Sequence, residues 1–306
     1  AESTGHESKP AWMRSGATLG TVTYNEGVSD SIQPPTASRV DARRTPRARA
    51  RVSVVGVIGE LLITAGVIVM LFLGWYVWLN DVITGAAQQD AAQEIQEQLR
   101  EEFDRDRGTV EPEPDPAQPD EPRDPGEPVV GTPAPEGEAF GALIVPRFGD
   151  DYVRTIGSGV DLQTVLNNSR LGVGHYRETQ MPGEVGNFAL AAHRTTYGAP
   201  FADIAELRAG DSIYVETREG WYEYVFRNFE YVWPTEVEVL EPVPQAPQVE
   251  ATDRILTLTS CNPRFSAAER IIAYAVLETW YPREDGPPAE ISGLTEAAGS
   301  SAAVIS

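Results

Sequence analysis

Residues 254–277 read R-I-L-T-L-T-S-C-N-P-R-F-S-A-A-E-R-I-I-A-Y-A-V-L. The first part is a β-type run that leads to Cys261, the single cysteine of the chain, and Asn262-Pro263 then ends the strand. A second apolar run begins directly after Arg270. If the two runs pair as an antiparallel hairpin, the loop between them folds back and sets the Arg270 guanidinium beside the Cys261 sulfur.

A permanent cation beside a thiol favours the thiolate, which is the nucleophilic form, and guanidinium N–H donors are suited to hold an oxyanion. The alternative is a structural cysteine, because free cysteine is among the most buried residue types. The position of Cys261 at a strand end, before a turn and with arginine on the next strand, favours the chemical interpretation. Arg264, within the loop after Cys261, is the second choice for the partner arginine.

Further segments carry a family resemblance. T-L-T-S-C, followed nine residues later by arginine, resembles the signature of sortases, the cysteine transpeptidases that attach proteins to Gram-positive cell walls. Upstream segments resemble the class E subgroup of actinobacteria, and the similarity covers residues 140–281. These segments are Gly172-Val173-Gly174-His175-Tyr176, Met181-Pro182-Gly183-Glu184, Gly186-Asn187 and Ala191-Ala192-His193-Arg194-Thr195-Thr196-Tyr197-Gly198-Ala199-Pro200-Phe201.

The residues from 140 onward form short β-type runs separated by turn signals, which predicts a mainly β domain, either a closed barrel or a sandwich. The resemblance to sortases implies the barrel, with eight strands and short helices. We place seven strands at residues 140–145, 152–156, 188–192, 212–217, 222–229, 254–260 and 270–277, and short helices at 162–166 and 201–206.

The site residues follow partly from the pattern and partly from the resemblance. A Cys–Arg pair lacks a proton donor for a leaving amine, and histidine is the natural one near neutral pH. His193 emerges at the end of a β-type run, as Cys261 does, and it matches the catalytic histidine of the family. The resemblance thus implies Cys261, His193 and Arg270 as catalytic residues. Tyr197, His175, Tyr176 and Ser260 are candidates for contact with the substrate, with His175 in a Gly-rich loop.

The resemblance also implies the reaction. Cys261 would attack the threonine carbonyl of a sorting signal of the L-A-x-T-G or L-P-x-T-G type near the carboxyl end of a secreted protein. The acyl group would pass from Cys261 to the amine of a lipid-linked peptidoglycan precursor. The sequence indicates no cofactor and no metal site; a calcium dependence, known in some sortases, is not readable, because acids such as Asp150, Asp151 and Glu184 lack the spacing of a ligand loop.

The composition of the chain divides unevenly. The net charge of −22 argues against nucleic acid as a partner, because phosphate binding requires a basic face. Residues 1–51 are polar and rich in arginine toward their end, and they are expected to be a disordered cytoplasmic tail. Residues 52–79 are almost wholly apolar and end in Trp75, Tyr76 and Trp78, as a transmembrane anchor with an aromatic belt would.

The arginines before this segment place the amino terminus in the cytoplasm and the remainder outside the cell. A cleavable signal peptide is the alternative, but its apolar core would be shorter, roughly 7 to 15 residues. Residues 80–107 predict an exposed helical stalk, and 108–138 an extended, acidic, Pro-rich spacer that gives the catalytic domain reach. Residues 139–282 form the catalytic domain, and 283–306 are expected to be disordered.

Three other functions use the same features. An exported cysteine peptidase would employ the same thiol and histidine but let water resolve the thioester. A pilus-polymerising sortase usually carries an Asp-Pro-aromatic lid, whereas Asp115-Pro116 and Asp124-Pro125 are followed here by Ala and Gly. A non-catalytic, membrane-tethered β-domain would contain an unreactive Cys261.

Overall fold

The structure is a computed structural model, and it describes residues 53–107 and 125–295. The predictions for residues 1–51, for 108–124 and for 296–306 concern segments outside the described residues. Eight strands form a closed barrel in the order β1-β2-β3-β4-β7-β8-β6-β5. The strands are β1 (Ala139–Ile144), β2 (Val153–Ser158), β3 (Val173–His175), β4 (Gly186–Ala192), β5 (Ser212–Glu216), β6 (Gly220–Val232), β7 (Arg254–Asn262) and β8 (Glu269–Pro282).

The eight-stranded barrel confirms the predicted fold class, and seven of its strands overlap the predicted runs. The strand that the sequence did not predict is β3. It has three residues and pairs parallel to β2 and antiparallel to β4. Three residues that include a glycine are too few to show alternation. Residues 162–166 form a π-helical turn, whereas the second predicted helix is reduced to the 3-10 turn Ile204–Glu206.

Alternation along the strands decides which side chains fill the barrel. Phe188 and Leu190 of β4 and Leu256 and Leu258 of β7 belong to the interior core. The residues between them therefore face outward, because neighbouring side chains of a strand point to opposite sides. The outward-facing Thr257 and Thr259 are nevertheless buried, since surrounding loops cover this part of the wall.

Two helices precede the barrel, α1 (Val54–Gly74) and α2 (Asn80–Arg107), joined by a π-helical turn at Trp75–Leu79. Among the described residues, α1 is the helix whose length and apolar composition suffice to cross a membrane, and none of its residues is buried by the rest of the protein. It lies within the segment 52–79 that the sequence predicts as the anchor.

Helix α2 is not a solvated stalk. It packs against β1 and β2 and buries Ala92, Ile95 and Leu99 in a second apolar cluster on the outside of the barrel. The expectation of an exposed helix was wrong because a stripe of three apolar residues is narrow for a helix but fits the apolar outer face of β1, where Ala142 and Ile144 lie.

Parts of the predicted spacer and tail also pack on the barrel. Trp280 Nε1 donates to the Gly126 carbonyl oxygen at 3.0 Å, and Ser158 Oγ donates to the Ala134 oxygen at 2.9 Å. On the carboxyl side, Arg283 forms a buried ion pair with Glu216 at 2.9 Å, and Ile291 is fully buried. Residues 125–138 and 283–295 therefore do not behave as spacer and disordered tail.

The described residues on either side of the segment 108–124 line one cleft. Asp106, near the end of α2, and Pro125, where the described chain resumes, line the same cleft at one end of the barrel. Helix α2, which is continuous with α1, holds the barrel through the contacts described above, and the spacer predicted at 108–124 stays a prediction.

Candidate active site

Cys261 and Arg270 are directly opposite each other in the antiparallel pair β7–β8. The predicted hairpin is therefore present, and side chains of opposed residues lie on the same face of a sheet. The Cys261 thiol is free and half-buried. Arg270 Nη1 donates to the carbonyl oxygens of Ala267 at 3.1 Å and Glu269 at 3.0 Å, so the turn before β8 holds the guanidinium on the strand end.

His193 lies on the other side of Cys261. Strands β4 and β7 are parallel, with Ala191 beside Thr259, and two further residues on each strand lead to His193 and Cys261. The two residues therefore lie at the same level of neighbouring chain segments, and adjacent strands are about 4.8 Å apart. Ser260 Oγ donates to the Ala192 carbonyl oxygen at 2.8 Å and fastens the two strands at this point.

The three predicted catalytic residues thus stand side by side, with Cys261 on β7 in the middle, Arg270 on β8 and His193 directly after β4. All three occupy outward-facing positions of the barrel wall, as the alternation described above requires. The site is therefore a feature of the outer surface, next to the solvent, and not of the barrel interior.

The surroundings of His193 determine its protonation. Its Nε2 lies 2.8 Å from Asn167 Oδ1, and its ring lies 5.1 Å from that of Tyr197 at an interplanar angle of 33°. Burial lowers the pKa of His193, and the carboxylate of Asp81 on α2 partly opposes this shift. An imidazole with a lowered pKa is neutral at pH 7, and it can accept a proton and pass it on.

Two residues at the site were not among the candidates predicted from the sequence, although Arg194 lies in a segment that carries the family resemblance. Arg194 is buried, and its Nη1 donates to Asn262 Oδ1 at 2.5 Å and to the Cys261 carbonyl oxygen at 3.3 Å. It ties the chain after His193 to the backbone at Cys261. Asn167, the partner of His193, follows the π-helical turn and comes 26 residues earlier in the chain. No periodicity or motif marks such a long-range contact.

The four predicted substrate-contact residues divide into two pairs. Tyr197, 41% exposed, stays beside His193, and the Tyr176 hydroxyl lies 3.2 Å from Thr259 Oγ1 on the outer face, two residues before Cys261. Ser260 and His175 point elsewhere. Ser260 is buried and faces its neighbouring strand.

His175 ends β3 and is not in a loop. It is buried between the rings of Phe140 and Phe188, and its Nε2 lies 2.9 Å from the Gln180 carbonyl oxygen. Burial lowers the pKa of His175 to about 4, so its imidazole is neutral near pH 7. This placement is that of a structural core residue.

A cleft of about 590 Å³ lies beside the site. It is bounded by the first turns of α2 with Asp81 and Gln89, by Thr195 and Gly198 after His193, and by Phe265 of the β7–β8 loop. Among residues 53–107 and 125–295, no three His, Cys, Asp or Glu side chains gather in a way that could hold a metal ion.

The chain is similar to known proteins in sequence. Residues 143–278 match the sortase domain family. The chain is 34% identical over 260 residues to sortase SrtE1 of Streptomyces coelicolor, which covers 82% of this chain and 66%, just under two thirds, of that protein. It is 30% identical over 243 residues to SrtE2 of the same organism, covering 77% of this chain and 86% of that protein.

A solved structure shares the fold as well as the sequence. The SrtA sortase from Actinomyces oris is 38% identical, with a TM-score of 0.51 over 55% of this chain and 94% of that one. The matched family domain contains Cys261 and Arg270 on their strands and His193 directly after β4. The chain therefore belongs to the sortase family of cysteine transpeptidases.

Proposed function

We propose that the protein cleaves a carboxyl-terminal sorting signal of the L-A-x-T-G or L-P-x-T-G type between Thr and Gly and transfers the acyl group to a peptidoglycan precursor amine. The observation that carries the proposal is the register of three adjacent strands, which aligns His193, Cys261 and Arg270 on one face. A nucleophile, a proton carrier and an oxyanion donor are the groups that acyl transfer requires.

The first half of the reaction forms a thioester. His193 takes the proton of the Cys261 thiol, and the sulfur attacks the threonine carbonyl carbon. Arg270 donates hydrogen bonds to the oxyanion of the tetrahedral intermediate. When the Thr–Gly bond breaks, His193 returns its proton to the departing glycine amine.

The second half reverses these roles. The acceptor amine attacks the thioester carbonyl, and His193 removes a proton from the attacking nitrogen. Collapse of the second tetrahedral intermediate releases the Cys261 sulfur and leaves a new amide bond. Tyr197 and Tyr176, which flank the aligned residues, are proposed to contact the signal peptide.

The anchor supports a membrane-bound acceptor. Helix α1 has the length of a membrane span, and α2 begins six residues after it with Asn80. Gln88, on the face of α2 that packs on the barrel, contacts the loop that carries Tyr197. At about 1.5 Å per residue, Asn80 and Gln88 are only about 12 Å apart along the helix.

The catalytic edge of the barrel is thus the edge nearest the anchor. An amine carried on a lipid would be presented at that height, which favours a lipid-linked precursor as the acceptor. The arginine-rich segment before α1 further supports a cytoplasmic amino terminus and an extracellular catalytic domain.

The test uses the full chain in lipid nanodiscs, because α2 forms part of the folded barrel unit. A fluorogenic L-A-E-T-G peptide is supplied with and without a glycine-based amine, and products are identified by mass. We expect a Thr–Gly ligated product with wild type and none with Cys261→Ala. Cleavage without incorporation of any amine would instead indicate a cysteine peptidase, and an intact peptide would contradict the proposal.

A further inference from the structure

One side chain of α2 reaches from the membrane-proximal helix into the loops around the active site. Gln88 is fully buried, and its Nε2 donates to the carbonyl oxygen of Tyr197 at 2.9 Å and to that of Asn168 at 3.1 Å. These oxygens belong to segments 80 and 109 residues away in sequence. Gln88 therefore ties both loops to α2 with a single amide group.

Both loops touch His193. Tyr197 packs its ring against the imidazole, and the side-chain oxygen of Asn167, the neighbour of Asn168, accepts a hydrogen bond from His193 Nε2. Tyr197, which packs on the face of the imidazole, is bonded directly by Gln88. Asn167, which contacts Nε2, is the neighbour of Asn168, the other residue that Gln88 bonds. The tautomer of a catalytic histidine is set by such a partner.

The loops are shaped to receive this side chain. A Cβ atom built on Gly172 or on Gly198 would overlap with the Gln88 amide. Side chains at these positions would push α2 away from the site.

The Tyr197 loop also has an uncommon backbone. Tyr197, Gly198 and Ala199 have φ values of 54°, 80° and 43°, which is the left-handed region that tyrosine and alanine rarely adopt. Such conformations persist when the surrounding structure holds them in place. The hydrogen bond from Gln88 to the Tyr197 carbonyl is a direct restraint on this stretch.

We propose that Gln88 is a positioning residue for His193, and that α2 is therefore a working part of the catalytic domain as well as its connection to the membrane. This inference rests on the acyl-transfer reaction proposed above, in which His193 moves the proton. Gln88 does not touch the reacting atoms; it orients the residues that orient the imidazole.

The electrostatics of α2 agree with this placement. Asp81 precedes Gln88 by seven residues, about two helical turns, so both lie on the same side of α2. Its carboxylate is close enough to raise the pKa of His193 against the larger effect of burial. Arg154 and Arg264 are further charged groups that line the cleft between α2 and the site.

The primary test is Gln88→Met, which keeps the volume of the side chain but removes its donors. Gln96→Met is the matched control: Gln96 is also fully buried on α2, about 12 Å further along the helix, and donates to Glu216 at 2.7 Å, away from His193. Both variants are compared as full chains in nanodiscs, by steady-state ligation of the L-A-E-T-G peptide and by thermal unfolding.

For Gln88→Met we expect kcat to fall at least tenfold while KM for the peptide stays within about twofold. The limb of the pH–rate profile that belongs to His193 should move up toward the ordinary value near 6.5, because a loosened loop admits water. Gln96→Met should lower the unfolding temperature by a similar amount and leave kcat and the pH profile unchanged. Equal kinetics for both variants would overturn the proposal.

A second measurement does not need turnover. The chain has three histidines, so the imidazole signals of ¹³C-histidine-labelled protein can be titrated individually by NMR. A shifted His193 titration in Gln88→Met, but not in Gln96→Met, supports positioning even if the peptide is not a substrate. If Gln88→Met does not fold, Gly172→Ala, whose Cβ would overlap with the Gln88 amide, is expected to produce the same shift, and an unshifted His193 would overturn the proposal.

Discussion

The two sides of the active site are built by different means. Cys261 and Arg270 are aligned by the backbone register of β7 and β8, and β4 brings His193 to the same level. The ring of His193, in contrast, is oriented by Asn167 and Tyr197 from two loops, and α2 fastens those loops. Strand register fixes which residues meet, whereas long-range side-chain contacts fix how the histidine is presented.

The largest expected effect comes from the side of the site that strand register aligns, Cys261 and Arg270. Arg270→Ala removes the proposed oxyanion donor and should lower kcat by about 10²–10³-fold, with little change in stability. Arg270→Lys keeps the charge but loses the planar, forked guanidinium, so its kcat should lie between those of wild type and Arg270→Ala. The measurement is steady-state ligation, with Arg264→Ala as comparison. A greater loss in Arg264→Ala than in Arg270→Ala would contradict the assignment.

The next effect concerns the far end of α2. Arg283 and Glu216 form a buried pair, 4% and 1% exposed, to which Gln96 also donates. Arg283→Met leaves a buried carboxylate without its cation and should lower the free energy of unfolding by about 3–5 kcal/mol. Urea unfolding in detergent micelles measures this.

An exposed ion pair serves as the control for that variant. Arg227 and Glu278 are paired at 3.2 Å but are 48% and 60% exposed. Arg227→Met should change the free energy of unfolding by no more than about 1 kcal/mol. Equal losses in the two variants would show that the Arg283 pair is not buried in solution.

A somewhat smaller effect is expected from the apolar face of α2. Leu99→Ala should lower the free energy of unfolding by about 2–4 kcal/mol, because Leu99 lies in the cluster with Ile144 and Ile291. Glu101→Ala, on the exposed side of the same helix, should stay within about 0.5 kcal/mol of wild type. If α2 were a solvated stalk, the two variants would unfold alike.

The smallest effect at neutral pH belongs to His175. Its folded-state pKa of about 4 lies below the ordinary value of 6.5, so the unfolded chain binds more protons between these values. Stability is therefore lost as pH falls from 6.5 to 4, by up to about 3 kcal/mol. His175→Phe should flatten the pH dependence of urea unfolding by that amount. An unchanged dependence would show that His175 is not buried as a neutral imidazole.

The contrast between the two sides also explains what could be predicted from the sequence. The Cys261–Arg270 hairpin and seven of the strands follow from local alternation and from the turn at Asn262-Pro263, which are short-range signals. Catalytic roles came from the family resemblance. Strand β3 is too short to carry a periodic signal, and so His175 was placed in a loop and its burial was missed.

The contacts of α2 could not be predicted in this way. Gln88 and Gln96 are ordinary polar residues of a polar helix, and nothing local shows that both are fully buried. Their partners lie 80 to 120 residues away. The same holds for Arg283 and Ile291, which follow the last strand in a segment whose Gly and Pro content indicates a disordered tail.

The most direct test of the central claim is the capture of the acyl-enzyme. The full chain is incubated with an L-A-E-T-G or L-P-E-T-G peptide in the absence of an acceptor amine, and its intact mass is measured. We predict the mass of one peptidyl-threonine acyl group on Cys261, the single cysteine, removable by hydroxylamine and absent from Cys261→Ala. An unmodified protein whose Cys261 is still alkylated by iodoacetamide would contradict the claim that this thiol accepts the sorting signal.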